Sequence, residues 1–218
     1  SIFVRLGCRL TEWISRRRLL VPISNTSVIS EILHTMKKFF TRKGDDGTTG
    51  LLGEGRVFKS DARMEALGSL DEASASLGLA RSLMKSPGSF ELVVHLQRDL
   101  YHLMAEVAST PETEQKFRAV DEAKVKWLEE QTEEIGRKIE LPNEFILPGD
   151  NPGAAALSLA RTVVRRAERR IVQLFMDGQY KNQFGIAYLN RLSSLCFVLE
   201  VNEVQSGCGT NPTLAKGK

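Results

Sequence analysis

Between Thr41 and Gly50 the chain reads Thr-Arg-Lys-Gly-Asp-Asp-Gly-Thr-Thr-Gly: three glycines, three threonines, two cations, two carboxylates and no apolar side chain. Such a segment has nothing to bury. Glycine lets backbone N–H groups turn toward a ligand without a Cβ in the way. Threonine hydroxyls and Arg or Lys add donors for an oxyanion. The chemistry these types allow is a cradle for phosphate oxygens. A solvated cluster of turns has the same composition, and both readings stand at this point. The Gly-Lys-Ser/Thr ending of a P-loop is missing, so a nucleotide held here is held by another design.

A second set of charges lies on a helical pattern from Leu157 to Phe175. At 100° per residue, Ala160, Val163, Val164, Ala167, Ile171 and Leu174 fall in one apolar arc. Arg161, Arg165 and Glu168 border that arc, with Arg169 beside them, while Arg166 and Arg170 point elsewhere. Arg161 and Arg165 are like charges four residues apart, a mildly unfavourable pair unless an anion lies between them. An anion site and a solvated face with i,i+4 pairs both fit the spacing. A DNA-binding helix fits less well, because no stacking aromatics interleave the arginines.

The elements that would position these groups are helices. With 218 residues, 42% hydrophobic and 26% charged, the chain is long enough for one domain with a sizeable core. Apolar periodicity predicts helices over about Asp61–Met84, Phe90–Ala108, Val120–Ile139, Asn151–Met176 and Asn182–Val204. Asn151 followed by Pro152 is a strong start signal. No strand is expected after residue 60. The fold class is therefore all-α, a five-helix antiparallel bundle preceded by an irregular Gly-rich loop. No run of 18 apolar residues is present, so no membrane span is expected. Cys8, Cys196 and Cys208 form neither a CxxC pair nor a disulfide framework, which suits a reducing, cytoplasmic setting. His34, His95 and His102 lack metal-ligand spacing, and satisfied helix histidines are the favoured reading over ligands.

Residues 1–35 hold five Arg and two Glu, so the chain's +3 net charge resides there and the remainder is neutral. The basic balance then says nothing of nucleic acid binding by the fold. This acid-poor stretch has the composition of a mitochondrial transit peptide. The competing and preferred reading is that the protein starts at Met36. The expected organisation is an extension over 1–35, the bundle over 36–204 and a flexible tail over 205–218.

Four segments together resemble one family. They are Phe40-Thr41-Arg42-Lys43-Gly44-Asp45-Asp46-Gly47-Thr48-Thr49, Glu65-Ala66-Leu67-Gly68-Ser69-Leu70-Asp71-Glu72, Phe145-Ile146-Leu147-Pro148-Gly149 before Arg165-Arg166-Ala167-Glu168-Arg169-Arg170, and Tyr188-Leu189-Asn190-Arg191-Leu192-Ser193. In order and spacing, over about residues 39–200, they are similar to the PduO-type ATP:cob(I)alamin adenosyltransferases. That family joins the 5′-deoxyadenosyl group of ATP to the cobalt of cob(I)alamin and releases triphosphate. Its fold is a five-helix bundle, usually a homotrimer with sites between subunits.

The resemblance implies that Thr41, Arg42, Lys43, Gly44, Thr49, Gly50 and Lys59 hold the phosphates of ATP. It implies that Arg165, Arg166, Glu168, Arg169 and Asn190 close on the nucleotide from the other side. Asp71 and Arg161 match an inter-subunit salt bridge, and Phe145 matches a ring beneath the corrin. Mg²⁺ is implied with the triphosphate. Glu168 either touches that metal or only orients an arginine. An electron-donating reductase and an enzyme that uses adenosylcobalamin are implied partners, with no nucleic acid or membrane partner. Asp150 stands where the family commonly has a second glycine, Ser69 replaces a threonine, and Ser194 replaces a frequent aspartate. The alternative function is a trimeric bundle that carries or senses ATP or corrinoid without chemistry.

Overall fold

The computed structural model describes residues 40–86, 88–209 and 211–216. Contacts divide the chain into two units, Ser1–Arg42 and Lys43–Lys218. The expected extension over 1–35 and the candidate start at Met36 lie outside the described residues. So do Thr210 and the last two residues.

The second unit opens with a short antiparallel hairpin, β1 (Thr48–Gly50) and β2 (Arg56–Phe58), in the register Thr48↔Phe58, Thr49↔Val57 and Gly50↔Arg56. The Gly-rich segment is thus partly paired rather than wholly irregular. Three residues per strand are too few to show a period of two in the sequence.

Helices follow. α1 (Ala62–Leu83) starts where the Asp61 carboxylate accepts from the Arg63 N–H. α2 (Ser89–Ala108) follows after a short link, α3 (Glu114–Phe117) is a single turn, and α4 (Glu122–Gly136) is capped by Asp121. α5 (Pro152–Met176) begins as expected, with the Asn151 side chain accepting from the Ala154 N–H and Pro152 at the first helical position. α6 (Gln183–Cys208) is capped by Asn182.

α1 packs on α2 and α5, and α6 packs on α5 and α4. The shared core includes Leu70, Leu77, Leu96, Leu100, Leu157, Val164, Ile171, Leu189, Leu192 and Leu199. α6 is long and apolar enough by composition to cross a membrane, but much of its surface is buried in this bundle. Among the described residues five helices exceed three turns, as the periodicity implies.

Four carboxylates lie inside the bundle, each 2–3% exposed. Asp99 on α2 pairs with Lys124 and accepts from the Tyr188 hydroxyl at 2.8 Å. Glu106 accepts from Asn182 Nδ2 at 2.7 Å and the Tyr180 hydroxyl at 3.1 Å. Glu203 accepts from the N–H groups of Lys85 and Ser86 and from the Ser86 hydroxyl, tying the α1–α2 link to α6. Glu200 faces Ser158 and Arg161 across α5 and α6. His95 stacks on Trp127 at 4.2 Å and approaches Asp99, the satisfied-histidine reading of its sequence.

The expected helix end at residue 204 and tail beyond it differ from the structure. α6 runs to Cys208, and residues 211–216 fold back onto Phe145–Asp150. Leu147 N–H donates to the Thr213 carbonyl, Ala215 N–H donates to the Phe145 carbonyl, and Ile146 pairs with Leu214. The pairing partner lies more than sixty residues away, which no local pattern in the tail can reveal.

Candidate functional site

In the Gly-rich segment, two cations tie the backbone into a fixed shape. Arg56 donates from Nε to Thr48 Oγ1 at 2.8 Å and from its guanidinium to the carbonyls of Lys43 and Thr48. Lys59 Nζ donates to the Gly44 carbonyl at 2.7 Å. A Cβ on Gly44 would stand 3.1 Å from Lys59 Nζ and 3.2 Å from the Thr48 carbonyl oxygen, so glycine lets the lysine close on the turn. Asp46 accepts from the Thr48 N–H and hydroxyl, and these bonds hold its carboxyl below the usual range. Lys43, Gly44, Thr49, Gly50 and Lys59 are thereby brought together on one hairpin. Its Lys43, Gly50, Arg56 and Lys59 are solvent-exposed. Arg56 was not singled out in the sequence; its place opposite Gly50 only becomes visible once the hairpin register is known. In the first unit Arg42 has a backbone φ of 60° and places its guanidinium 5.4 Å from the centre of the Phe40 ring. Thr41 is exposed beside it.

α5 carries the second group. The apolar arc of the helix is buried as expected, and Arg165, Arg166 and Arg169 are exposed beyond it. Arg166 pairs with Glu72 of α1, next to Asp71. Among the described residues, Arg165 and Arg169 have no ion-pair partner. Glu168 is half-buried and accepts from Asn190 Nδ2 at 2.9 Å. Asn190 Oδ1 in turn accepts from Arg191 at 2.8 Å, and Arg191 Nε donates to Glu129 at 2.8 Å. This chain of bonds runs from α5 through α6 to α4 and fixes the Glu168 carboxylate.

Asp71 and Arg161 are not brought together within the chain. Asp71 is exposed on α1, while Arg161 Nε is buried with no hydrogen-bond partner among the described residues. An unsatisfied buried donor on a cation is costly, and the nearby Glu200 carboxylate offsets part of that cost through its charge. Arg161 also lines a cavity of about 420 Å³, with Phe145, Ile146, Pro148, Ser158, Phe197 and Glu200. Phe145 stands at its edge, 88% exposed. Burial pushes the Glu200 carboxyl above its ordinary range, against the opposing pull of Ser158 and Arg161.

Among the described residues no group of three His, Cys, Asp or Glu side chains converges on a metal position. The one acidic candidate, Glu168, is bonded to Asn190. The protein alone does not build a cage, although Mg²⁺ commonly needs only one or two carboxylates beside substrate phosphates.

The chain is similar to known proteins in sequence and in structure. The sequence profile of the cobalamin adenosyltransferase family matches residues 39–203. The corrinoid adenosyltransferase of Bacillus subtilis is 37% identical over 177 residues, covering 79% of this chain and 90% of that protein. The corrinoid adenosyltransferase PduO of Citrobacter freundii is 37% identical over 163 residues, covering 73% of this chain and 48% of that protein. The chain thus spans about half the length of the PduO relative. Among solved structures, a variant of the PduO-type ATP:corrinoid adenosyltransferase from Lactobacillus reuteri, complexed with cobalamin and ATP, superposes with a TM-score of 0.76 at 31% identity. The match covers 83% of this chain and 100% of that one.

Proposed function

Because the chain belongs to the cobalamin adenosyltransferase family, we infer that it transfers the 5′-deoxyadenosyl group of ATP to the cobalt of a reduced corrinoid. The observation that carries this reading is the structural likeness, over 83% of the chain, to a protein solved with both cobalamin and ATP. In the reaction the Co(I) electron pair forms a bond to C5′. The C5′–O bond breaks, and its electrons leave with triphosphate. The nucleophile carries no proton, so no general base is required. This accounts for a site built of cations, amides and an exposed ring.

The chain's own residues work on the leaving group. Triphosphate departs as its charge grows, and fixed donors that meet that charge lower the barrier. The hairpin supplies Lys43 and the Gly44–Gly50 backbone, stiffened by Arg56 and Lys59. Lys59 can exchange its bond to the Gly44 carbonyl for a phosphate oxygen. α5 supplies Arg165 and Arg169, whose lack of an ion pair leaves them available to an anion. Glu168 and Asn190 hold the wall between α5 and α6 in register. Mg²⁺, in this reading, enters with the nucleotide's own oxygens.

The site is assigned to the junction of subunits in a homotrimer. Supporting this, Asp71 is exposed on α1 and Arg161 has no ion-pair contact with it within the described chain, which fits a bridge made between subunits. Phe145 is assigned to the face beneath the corrin, where an apolar ring excludes an axial ligand and eases reduction of Co(II). The partners this implies are a reductase and an enzyme that takes up the product. Arg165→Ala is the direct test. Losing one fixed donor should lower kcat by about 10²–10³ with the helical circular dichroism unchanged. Retained kcat removes Arg165 from the site.

A further inference from the structure

Asp150 occupies a position where a glycine would carry no side chain, and in this chain its side chain has a partner. Thr213 donates to it twice, from the backbone N–H to Oδ2 at 3.0 Å and from Oγ1 to Oδ1 at 2.6 Å. The same segment holds the backbone on both sides of Ile146. Ala215 N–H donates to the Phe145 carbonyl at 2.7 Å, and Leu147 N–H donates to the Thr213 carbonyl at 2.8 Å. Gly149, at φ 126°, provides the turn between Pro148 and the carboxylate. The base of the segment is anchored as well. Gln205 Nε2 donates to the Glu140 carbonyl at 2.8 Å, and Gln205 Oε1 accepts from the Glu140 N–H at 3.0 Å.

These bonds matter because packing does not hold Phe145. An 88% exposed ring on a loop would sample many orientations. The loop is instead fixed by four hydrogen bonds between residues 213 and 215 and the stretch 145–150, two on the backbone of Phe145 and Leu147 and two charge-assisted at the Asp150 carboxylate. The loop so fixed forms one wall of the 420 Å³ cavity that Arg161, Phe197 and Glu200 complete.

We propose that Asp150 and Thr213 are positioning residues for the corrinoid, through which the carboxyl-terminal segment Asn211–Lys216 clasps the 145–150 loop and presets the Phe145 ring. The proposal rests on the reading of Phe145 as the ring beneath the corrin. Presetting a loop removes its ordering cost from binding. The benefit falls on the corrinoid alone, since the nucleotide is assigned to the hairpin and to α5.

The test uses the full chain with Asp150→Ala, Thr213→Val, Thr213→Ser and Phe145→Ala. Steady-state kinetics with cob(I)alamin and MgATP are read beside the EPR spectrum of cob(II)alamin with ATP. Breaking the charge-assisted bonds should raise the corrinoid KM about tenfold for Asp150→Ala and Thr213→Val. The KM for ATP should stay unchanged and the four-coordinate cob(II)alamin signal should shrink. Thr213→Ser, which keeps the hydroxyl, should restore both. An unchanged corrinoid KM and spectrum in Asp150→Ala overturns the proposal, as does an equal rise in both KM values. If Phe145→Ala loses the four-coordinate signal while Asp150→Ala keeps it, the clasp fails and the Phe145 reading survives. If Phe145→Ala keeps the signal, the parent reading fails, and the clasp with it.

Discussion

Glu168→Gln separates two jobs that one carboxylate can do. In the structure its oxygen accepts from Asn190 Nδ2 at 2.9 Å, and Asn190 is itself held by Arg191. Glutamine keeps an oxygen at that place and can still accept the bond. What it loses is the charge. A hydrogen bond to a charged group contributes about 1.5–3 kcal/mol, and a neutral one about 0.5–1.5. The difference is about 1–1.5 kcal/mol, close to tenfold in an equilibrium constant. If Glu168 orients the wall between α5 and α6, the KM for ATP should therefore rise about tenfold at most, with the Mg²⁺ dependence of the rate unmoved. If it ligates Mg²⁺, losing the anion should exceed the ~10–100-fold typical of outer-sphere changes, and the Mg²⁺ midpoint should shift upward. Initial rates over a grid of ATP and Mg²⁺ concentrations distinguish the two. A loss beyond about a hundredfold with a shifted Mg²⁺ midpoint would refute the orienting role.

Three further outcomes follow from the geometry. Asp71→Arg or Arg161→Asp should each weaken assembly and activity, and the double exchange should restore both in part; sedimentation velocity and turnover check this, and no coupling between the two would remove the inter-subunit bridge. Glu200 has its carboxyl raised by burial, so its protonation favours the folded state: this contribution is complete below the ordinary carboxylate range and is lost as pH rises through the folded value. Glu200→Gln should accordingly raise the melting temperature at pH 7–8 more than at pH 4, and equal shifts at both would contradict it. Lys124→Met leaves Asp99 buried without its cation. It should destabilise by on the order of 2–3 kcal/mol in urea unfolding, somewhat less than for a fully buried pair, because Lys124 is partly exposed. Adding Asp99→Asn should recover part of that loss.

The bundle was legible because its signals are local. Asn151-Pro152 and Asp61 cap helices where their types say they should, and the Ala160–Leu174 arc is buried as its spacing requires. The buried acids were not legible. Asp99, Glu106, Glu200 and Glu203 look like surface residues in the sequence, and only their partners from other helices explain them. The same limit hid Arg56, whose role depends on the register of two three-residue strands. It also hid the carboxyl-terminal segment, whose bonds are to the loop that leads into α5, more than sixty residues earlier in the chain. Asp150 could be noted as a departure from a pattern, yet its use required Thr213 to be in place. Arg161 shows the complementary case: the sequence placed it on the border of the packed face, and the structure buries its Nε there, facing Glu200, with no hydrogen bond among the described residues.

The central claim is adenosyl transfer from ATP to cobalt, and its most direct test is product analysis under strong reduction. Purified protein, MgATP and cob(I)alamin, kept dark and without oxygen, should yield a light-sensitive cobalt–carbon product and inorganic triphosphate in equal amounts. No alkylated corrinoid, or ATP cleaved to ADP and orthophosphate instead, would contradict it.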